Sequence, residues 1–565
     1  MPSEFFQSLS KEGQTLVRQA MDYLRPRYHP EIAQVSYHPT DPTVYNLRAS
    51  MYYALGLMLE HEEGCVEEVE KICRAVIATQ IDAPEEMFHG CYQSKDRMDI
   101  PHGVMDYKRL GVYGRFYVDC FYERLADQFR LNLGDDEELA PLARRIEYLL
   151  NRSVVEAFPV TWCNYGPNIR EFLMICFAML LEHFEAEFSP ETVALIDRSC
   201  LIGMEGAVLR AETEFSPLNT NIECMYVIVV DYFAKRLSRP DFAAAALRYA
   251  ERMYARYQEF HAVSEFNSPT YCGVDLATLG FWRRYGSCER IRKIGAALEA
   301  GIWRDVMTYY NPAMRNICGP YSRAYELEMS LHTHYHALWY WTLGEEKFPE
   351  HPFTNESDSN PLLVFGSVNI PEDALRAMEE PKEDVVIRRQ FRELSERGDP
   401  AHNNALCTCT SWISPDLMTG CMDGSENPSY QLHPLVVFWR GEKGLGTIKL
   451  LRSWPDGGMH HMHTVFFHGK ADREHLTMDV DFQVNRDVKL YYEIEYPGIC
   501  KAAEITDALW KLPGLSVNLQ AKAPELFLEK SEDGNILKVC YMSRARAEET
   551  KKMSFDMRLE LVGNS

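Results

Sequence analysis

The sequence is short of positive charge. It has 59 Lys and Arg against 83 Asp and Glu, for a net charge of −24. That balance repels polyanions over most of the surface, which argues against nucleic acid and anionic membranes as partners. No run of about 18 apolar residues is present to cross a bilayer. The opening MPSEFFQSLSKEGQ has no basic segment followed by an apolar one, so it does not read as a signal peptide. The 16 cysteines form neither a CxxC pair nor a compact disulfide framework. Cys407 and Cys409 are close in sequence and share a face if their segment is a strand. These absences lead to the expectation of a reduced, cytoplasmic protein. At 565 residues, two or more domains are expected.

Up to about Gly344 the apolar spacing is helical. VYNLRASMYYALGLMLE, IREFLMICFAMLLEHF, IECMYVIVVDYFAKRL and YELEMSLHTHYHALWYWTLG carry broad apolar faces, and several are apolar nearly all round, as buried helices are. Amphipathic segments such as RPDFAAAALRYAERMYARYQEF lie between them. EEKFPEHPFTNESDSNP, residues 345–361, reads as a linker. Beyond it the period drops to two in short β-rich runs, from LLVFGSV to SFDMRLELV, which predicts a large antiparallel sheet or sandwich.

The helical part repeats. The buried helices start near Asn46, Val112, Asn168, Asn221, Gly273 and Tyr325, the last four about 52 residues apart. NYGPNIREFLM and SPLNTNIECMY share a polar loop, Asn-Ile, two residues and an apolar helix. Six hairpins of one polar and one apolar helix satisfy this pattern, with the apolar helices as an inner ring. The polar loops leading into the inner helices then gather at one end. SEFNSPTY, residues 264–271, is the fifth. Helix N-termini there offer unpaired N–H groups suited to hydroxyls and carboxylates, although Asn and Ser at such places are often caps and nothing more.

Six α-hairpins followed by an antiparallel β-domain resemble the (α/α)6-toroid carbohydrate-active enzymes, heparinase II/III-type polysaccharide lyases among them, over nearly the whole chain. The resemblance implies an α+β multidomain protein: an (α/α)6 toroid over 1–344, a linker over 345–361 and a β-sandwich-type domain over 362–565. It also implies β-elimination beside a uronic acid. That chemistry needs a base for the proton α to the carboxylate, groups to neutralise the carboxylate and an acid for the leaving oxygen, roles usually filled by Tyr, His, Asn and Arg. The fifth loop supplies Asn267 and Tyr271; GPYSRAYELE supplies Tyr321, Arg323 and Tyr325; Asn164, Asn168, Asn219 and Asn221 populate the third and fourth. A tyrosine base needs a close cation, and Arg323 is the candidate. Each tyrosine also reads as helix packing with a hydrogen-bonded tip.

A hydrolase on the same toroid would instead pair two carboxyl groups across the cavity, with Glu265 and Glu326 as candidates and Asp275 a further one. A non-catalytic sugar-binding protein is the third reading. Glu328, His332 and His336 fall along one helix face, and His461 belongs to the His-rich GGMHHMHTVFFHG; His332, His336 and His461 are candidate sugar contacts. No cofactor is required by any of these readings. Zinc held by the His-rich stretch with His402 or Cys407 is an open option. The expected partner is a small carbohydrate, short or neutral rather than a long acidic polymer, given the net charge. Oligomeric state is not legible.

Overall fold

The structure is a computed structural model. It describes residues 2–84, 88–93, 125, 129, 138–157, 166, 168–212, 218–329, 338–339, 341–344, 360–394, 404–427, 429–455, 465–484 and 486–563. Helices α1 (Glu4–Ser8) and α2 (Lys11–Leu24) and a small antiparallel sheet of β1 (Tyr28–His29), β2 (Gln34–His38) and β3 (Asp41–Tyr45) come first. Then follow α3 (Leu47–Glu60), α4 (Cys65–Ile77), α5 (Ala140–Ala157), α6 (Ile169–Phe184), α7 (Pro190–Glu212), α8 (Thr220–Arg236), α9 (Pro240–Phe260), α10 (Cys272–Tyr285) and α11 (Glu289–Tyr309).

Burial sorts the helices into two layers. α3, α6, α8 and α10 bury nearly every residue and pack side by side in that order. α4, α7, α9 and α11 form the outer layer, each hairpinned to its inner partner. In α9 the buried residues Phe242, Ala245, Ala246, Tyr249, Ala250, Met253 and Tyr257 recur at helical spacing, so one stripe faces inward and the rest faces water. The inner helices α8 and α10 run parallel. The amide of Asn221, at the start of α8, donates to Glu265 in the loop before α10. At the other end the amide of Ser287, just past α10, donates to Asp231 late in α8. Four inner–outer hairpins are thus present among the described residues. The hairpin expected near Val112 lies outside them.

Two expectations are corrected. LLVFGSV is not a strand: Pro361–Phe365 is a 3-10 turn capped by the Asn360 side chain, which accepts from the amide of Leu362. Proline sets its first φ, and all five residues are buried, so the continuous apolar run reflects a plug rather than a sheet. The plug seals the C-terminal end of the inner helices. The Tyr285 hydroxyl donates to the Phe365 carbonyl at 2.7 Å, Arg284 donates to the Phe365 and Gly366 carbonyls, and the Phe5 and Phe365 rings stack at 4.9 Å. α12 (Glu372–Glu379) then packs on α11. Secondly, no helix starts at Tyr325. Residues 321–329 are turns and bends apart from a bridge between Tyr321 and His433 and a single 3-10 residue at the end.

After the short strands β4 (Tyr310–Asn311) and β5 (Asn316–Ile317), the C-terminal domain begins with β6 (Val385–Arg392) and β7 (Leu406–Ile413). These join β8 (Leu417–Ser425), β9 (Leu435–Gly441), β10 (Gly444–Ser453), β11 (Val465–Asp472), β12 (His475–Phe482), β13 (Val488–Glu495), β14 (Glu504–Ile505), β15 (Leu509–Leu512), β16 (Leu515–Lys522), β17 (Phe527–Lys530), β18 (Ile536–Ser543) and β19 (Lys552–Leu561) in one 14-stranded sheet. Its neighbours are antiparallel throughout. The sheet curls, so its wings meet: Tyr492 of β13 packs edge-on against Trp510 of β15 and Phe555 of β19 at 5.3 and 5.4 Å. β6 lies on the C-terminal end of α9 through Arg392–Glu259 and on the end of α11 through the pairing of Arg389 with Asp305, and Phe391 stacks on Phe266 at 4.9 Å. The sheet therefore sits at the end where the inner helices begin.

Candidate functional site

The loop Ser264–Tyr271 turns sharply at Asn267, whose φ is +53°. Asparagine tolerates that left-handed conformation better than other non-glycine residues. Its side-chain amide donates to the Cys318 and Pro320 carbonyls at 2.7 and 3.0 Å, tying this loop to the 318–327 segment. Ser268 closes the turn into α10: its hydroxyl accepts from the Tyr271 amide at 3.0 Å and donates to the Arg323 carbonyl. The two loops are thus one unit, and it presents four side chains together.

Glu265 is buried and both its oxygens are occupied. Oε2 accepts from the amide and the side chain of Asn221, each at 2.8 Å, and Oε1 pairs with Arg323 at 2.7 Å. Burial pushes its carboxyl up, opposed by Arg323 and Asn221. Arg323 also donates through Nε to Gln431, and its guanidinium lies 4.3 Å from the centre of the Tyr271 ring. Gln431 closes the circuit by donating to the Tyr271 hydroxyl at 3.3 Å. Burial drives the Tyr271 phenol well above its ordinary value, with Arg323 opposing. The cation faces the ring and is neutralised by Glu265, so Tyr271 is a neutral phenol, which suits a proton donor and not a base. Tyr325, exposed at the rim, has its ring 6.1 Å from that of Tyr271.

One turn into α10, Asp275 is fully buried and neither oxygen has a hydrogen-bond partner among the described residues. Burial, then the negative charges of Glu265 and Glu223, raise its carboxyl well above the usual range.

The other candidates fall elsewhere. Tyr321 is fully buried with its hydroxyl donating to the Ile317 carbonyl, so it cannot touch a ligand. Asn221 and Asn267 give their amides to protein acceptors and act as scaffold. Asn168 accepts from Arg210 at 2.8 Å, and Asn219 is the buried residue preceding α8. Glu326 is exposed near Glu495 of β13, and Glu265 is engaged by Arg323 and Asn221. Asn164, His332, His336, His402 and His461 lie outside the described residues. Cys407 and Cys409 are buried, and among the described residues no three His, Cys, Asp or Glu are grouped to hold a metal. Among those residues, too, no helix is long and apolar enough to cross a membrane.

Sequence reasoning missed Gln431. SENPSYQLHP, residues 425–434, nearly repeats the order of SEFNSPTY and reads as a polar, turn-rich connection between strands, but nothing in it tells which helix end it meets. His433 beside it is buried and neutral, its ring held at about 3 by burial, with Nε2 donating to the Ala324 carbonyl.

Three solved structures resemble the chain. The chondroitin AC lyase of Streptomyces coelicolor A3 in complex with chondroitin sulphate is 9% identical, with 97% of this chain and 83% of that one covered at a TM-score of 0.36. A heparinase III is 10% identical over 98% and 85%, at 0.31. A heparan sulfate lyase HepC mutant from Pedobacter heparinus is 8% identical over 90% and 92%, at 0.27. Scores this low fix no residue correspondence and no reaction. No curated protein sequence matches. The family described as "Domain of unknown function (DUF8769)" matches residues 14–116 and 154–359, and the chain belongs to it.

Proposed function

We propose that the protein is a carbohydrate-active lyase that cleaves uronate-containing oligosaccharides by β-elimination, with its catalytic groups at the mouth formed by the leading loops of an (α/α)6 toroid. The observation that carries this reading is the Glu265–Arg323–Tyr271–Gln431 circuit. It holds a neutral phenol at the rim over a guanidinium that is itself anchored. In β-elimination the glycosidic oxygen leaves with a proton, and Tyr271 is placed to supply it. Arg323 keeps the phenol oriented. Glu265 orients Arg323. With Glu265 engaged and Tyr271 neutral, the C5 proton goes to a base outside these four side chains. Tyr325, exposed beside Tyr271, offers a ring on which a sugar can stack. The substrate is a short oligosaccharide, because a net charge of −24 opposes a long polyanion.

The test is product analysis on uronate-containing oligosaccharides. Elimination yields an unsaturated sugar that absorbs in the near ultraviolet; hydrolysis yields a saturated one. Tyr271→Phe is expected to lower kcat by roughly 100-fold or more with KM little changed, the size of a lost general acid. Saturated products alone would sink the reading.

A further inference from the structure

Gln431 reaches the site from the sheet domain, and it does not reach there unaided. Residues 425, 427, 429 and 431 form a rail. The Asn427 amide donates to the Ser425 hydroxyl, the Ser429 amide to the Asn427 side chain at 2.9 Å, and the Gln431 amide to the Ser429 hydroxyl at 3.2 Å. Along its length the rail is pinned to the 318–327 segment: the Asn427 side chain donates to the Ser322 carbonyl, and the Ala324 amide donates to the Gln431 carbonyl at 2.9 Å. Arg452 holds the outer side through the Asn427 carbonyl at 2.9 Å. The first residue of the rail is gripped by a single acid. Glu393, just past β6, is buried; its Oε1 accepts from the Ser425 hydroxyl at 2.7 Å and its Oε2 from the Glu426 amide at 2.8 Å.

We propose that Glu393 is a positioning residue for the site: by holding the head of the 425–431 rail it sets the seat of Gln431 against Arg323 and Tyr271. The proposal rests on the reading above only in treating Arg323 and Tyr271 as working groups. Glu393 lies in the sheet domain, so it links the packing of that domain to the geometry of the mouth. The link is sensitive to pH. When ionised, both Glu393 oxygens accept from the rail; when protonated, one carries a hydrogen and must donate, so one of the two contacts is re-made or lost. Burial places that change near neutrality, the carboxyl being pushed up to about 7. The charged and titratable groups facing it among the described residues are Glu426, which raises it, Arg452, which lowers it, and the buried thiols of Cys407 and Cys409.

Amide hydrogen exchange on the full chain tests this without reference to turnover. Against local openings that break the Ser425 and Glu426 contacts but leave Glu393 buried, those contacts favour the ionised carboxyl, so protection of the Ala324 and His433 amides, corrected for intrinsic exchange, should rise roughly threefold or more between about pH 6 and about pH 8 in the wild type. Glu393→Gln keeps an acceptor and a donor but no proton to titrate, so its protection should be flat with pH. Ser425→Ala should lose about tenfold at both pH values, with α10 unchanged. Should Glu393→Ala fail to fold, these two milder variants still decide. Exchange at Ala324 that stays within about twofold of wild type in Ser425→Ala, or a pH response that survives in Glu393→Gln, overturns the proposal. If the lyase reading also holds, Ser425→Ala lowers kcat on a uronate-containing oligosaccharide at unchanged KM. A wild type with no such turnover removes the lyase reading and leaves the exchange result standing.

Discussion

Burial moves the Glu393 carboxyl from an ordinary value of 4.5 to about 7. The folded state then binds a proton that the unfolded chain releases, over the window between those values. The protonated form's contribution to stability is complete below about 4.5 and is lost as pH rises through about 7. The shift corresponds to about 3 kcal/mol between the ends of the window. Glu393→Gln should therefore be nearly neutral for stability at about pH 4.5 and stabilising by up to about 3 kcal/mol at about pH 8, read as the shift of the denaturation midpoint of the sheet domain. An equal effect at both pH values would mean that the carboxyl titrates alike in both states. The same accounting separates Glu265 from Asp275, ten residues on. Glu265 has three hydrogen bonds, one of them from Arg323, to oppose the effect of burial, whereas Asp275 has no hydrogen-bond partner among the described residues and its carboxyl is raised well above the usual range.

SEFNSPTY shows how far a short stretch can be read. Its polarity before an apolar helix marks a leading loop, and Ser268 and Asn267 turn out to be the pieces that build it. Their partners lie about 50 residues on, in the segment before Tyr325, where the repeat period expected a sixth inner helix and the structure starts none. The inner and outer helices were legible for the same reason: burial on all sides and burial on one stripe leave different periodicities. Gln431 was not legible, because nothing in local spacing tells which hairpin loop of a 14-stranded sheet will lie over a helix end some 160 residues earlier. The plug at Pro361–Phe365 was misread because a short apolar run has the same pattern in a strand and in a buried turn. Asn267 permits a direct test of this element. Asn267→Ala loses two hydrogen bonds and must hold a left-handed φ, for an expected loss of about 2–4 kcal/mol. Asn267→Gly loses the bonds alone and should fall about 1 kcal/mol short of that. Equal losses by thermal denaturation would remove backbone conformation from the account.

At the scale of the molecule, a negative surface and the acidic substrate proposed above oppose each other before any contact forms. The site itself adds little attraction at a distance, because Arg323 is paired with Glu265 and their fields cancel beyond a few ångströms. Association with a uronate-containing oligosaccharide is then slowed by the net charge of −24, and salt should relieve it. Raising ionic strength from about 0.01 M to about 0.15 M shortens the screening length from about 30 Å to about 8 Å, less than the span of a domain. On this account kcat/KM for the charged oligosaccharide rises severalfold over that range, while kcat at saturation hardly changes. A neutral oligosaccharide of equal length should show no slope. A kcat/KM that falls with salt would mean that a local positive field at the mouth outweighs the whole-molecule charge, and the preference for short substrates would then need another cause.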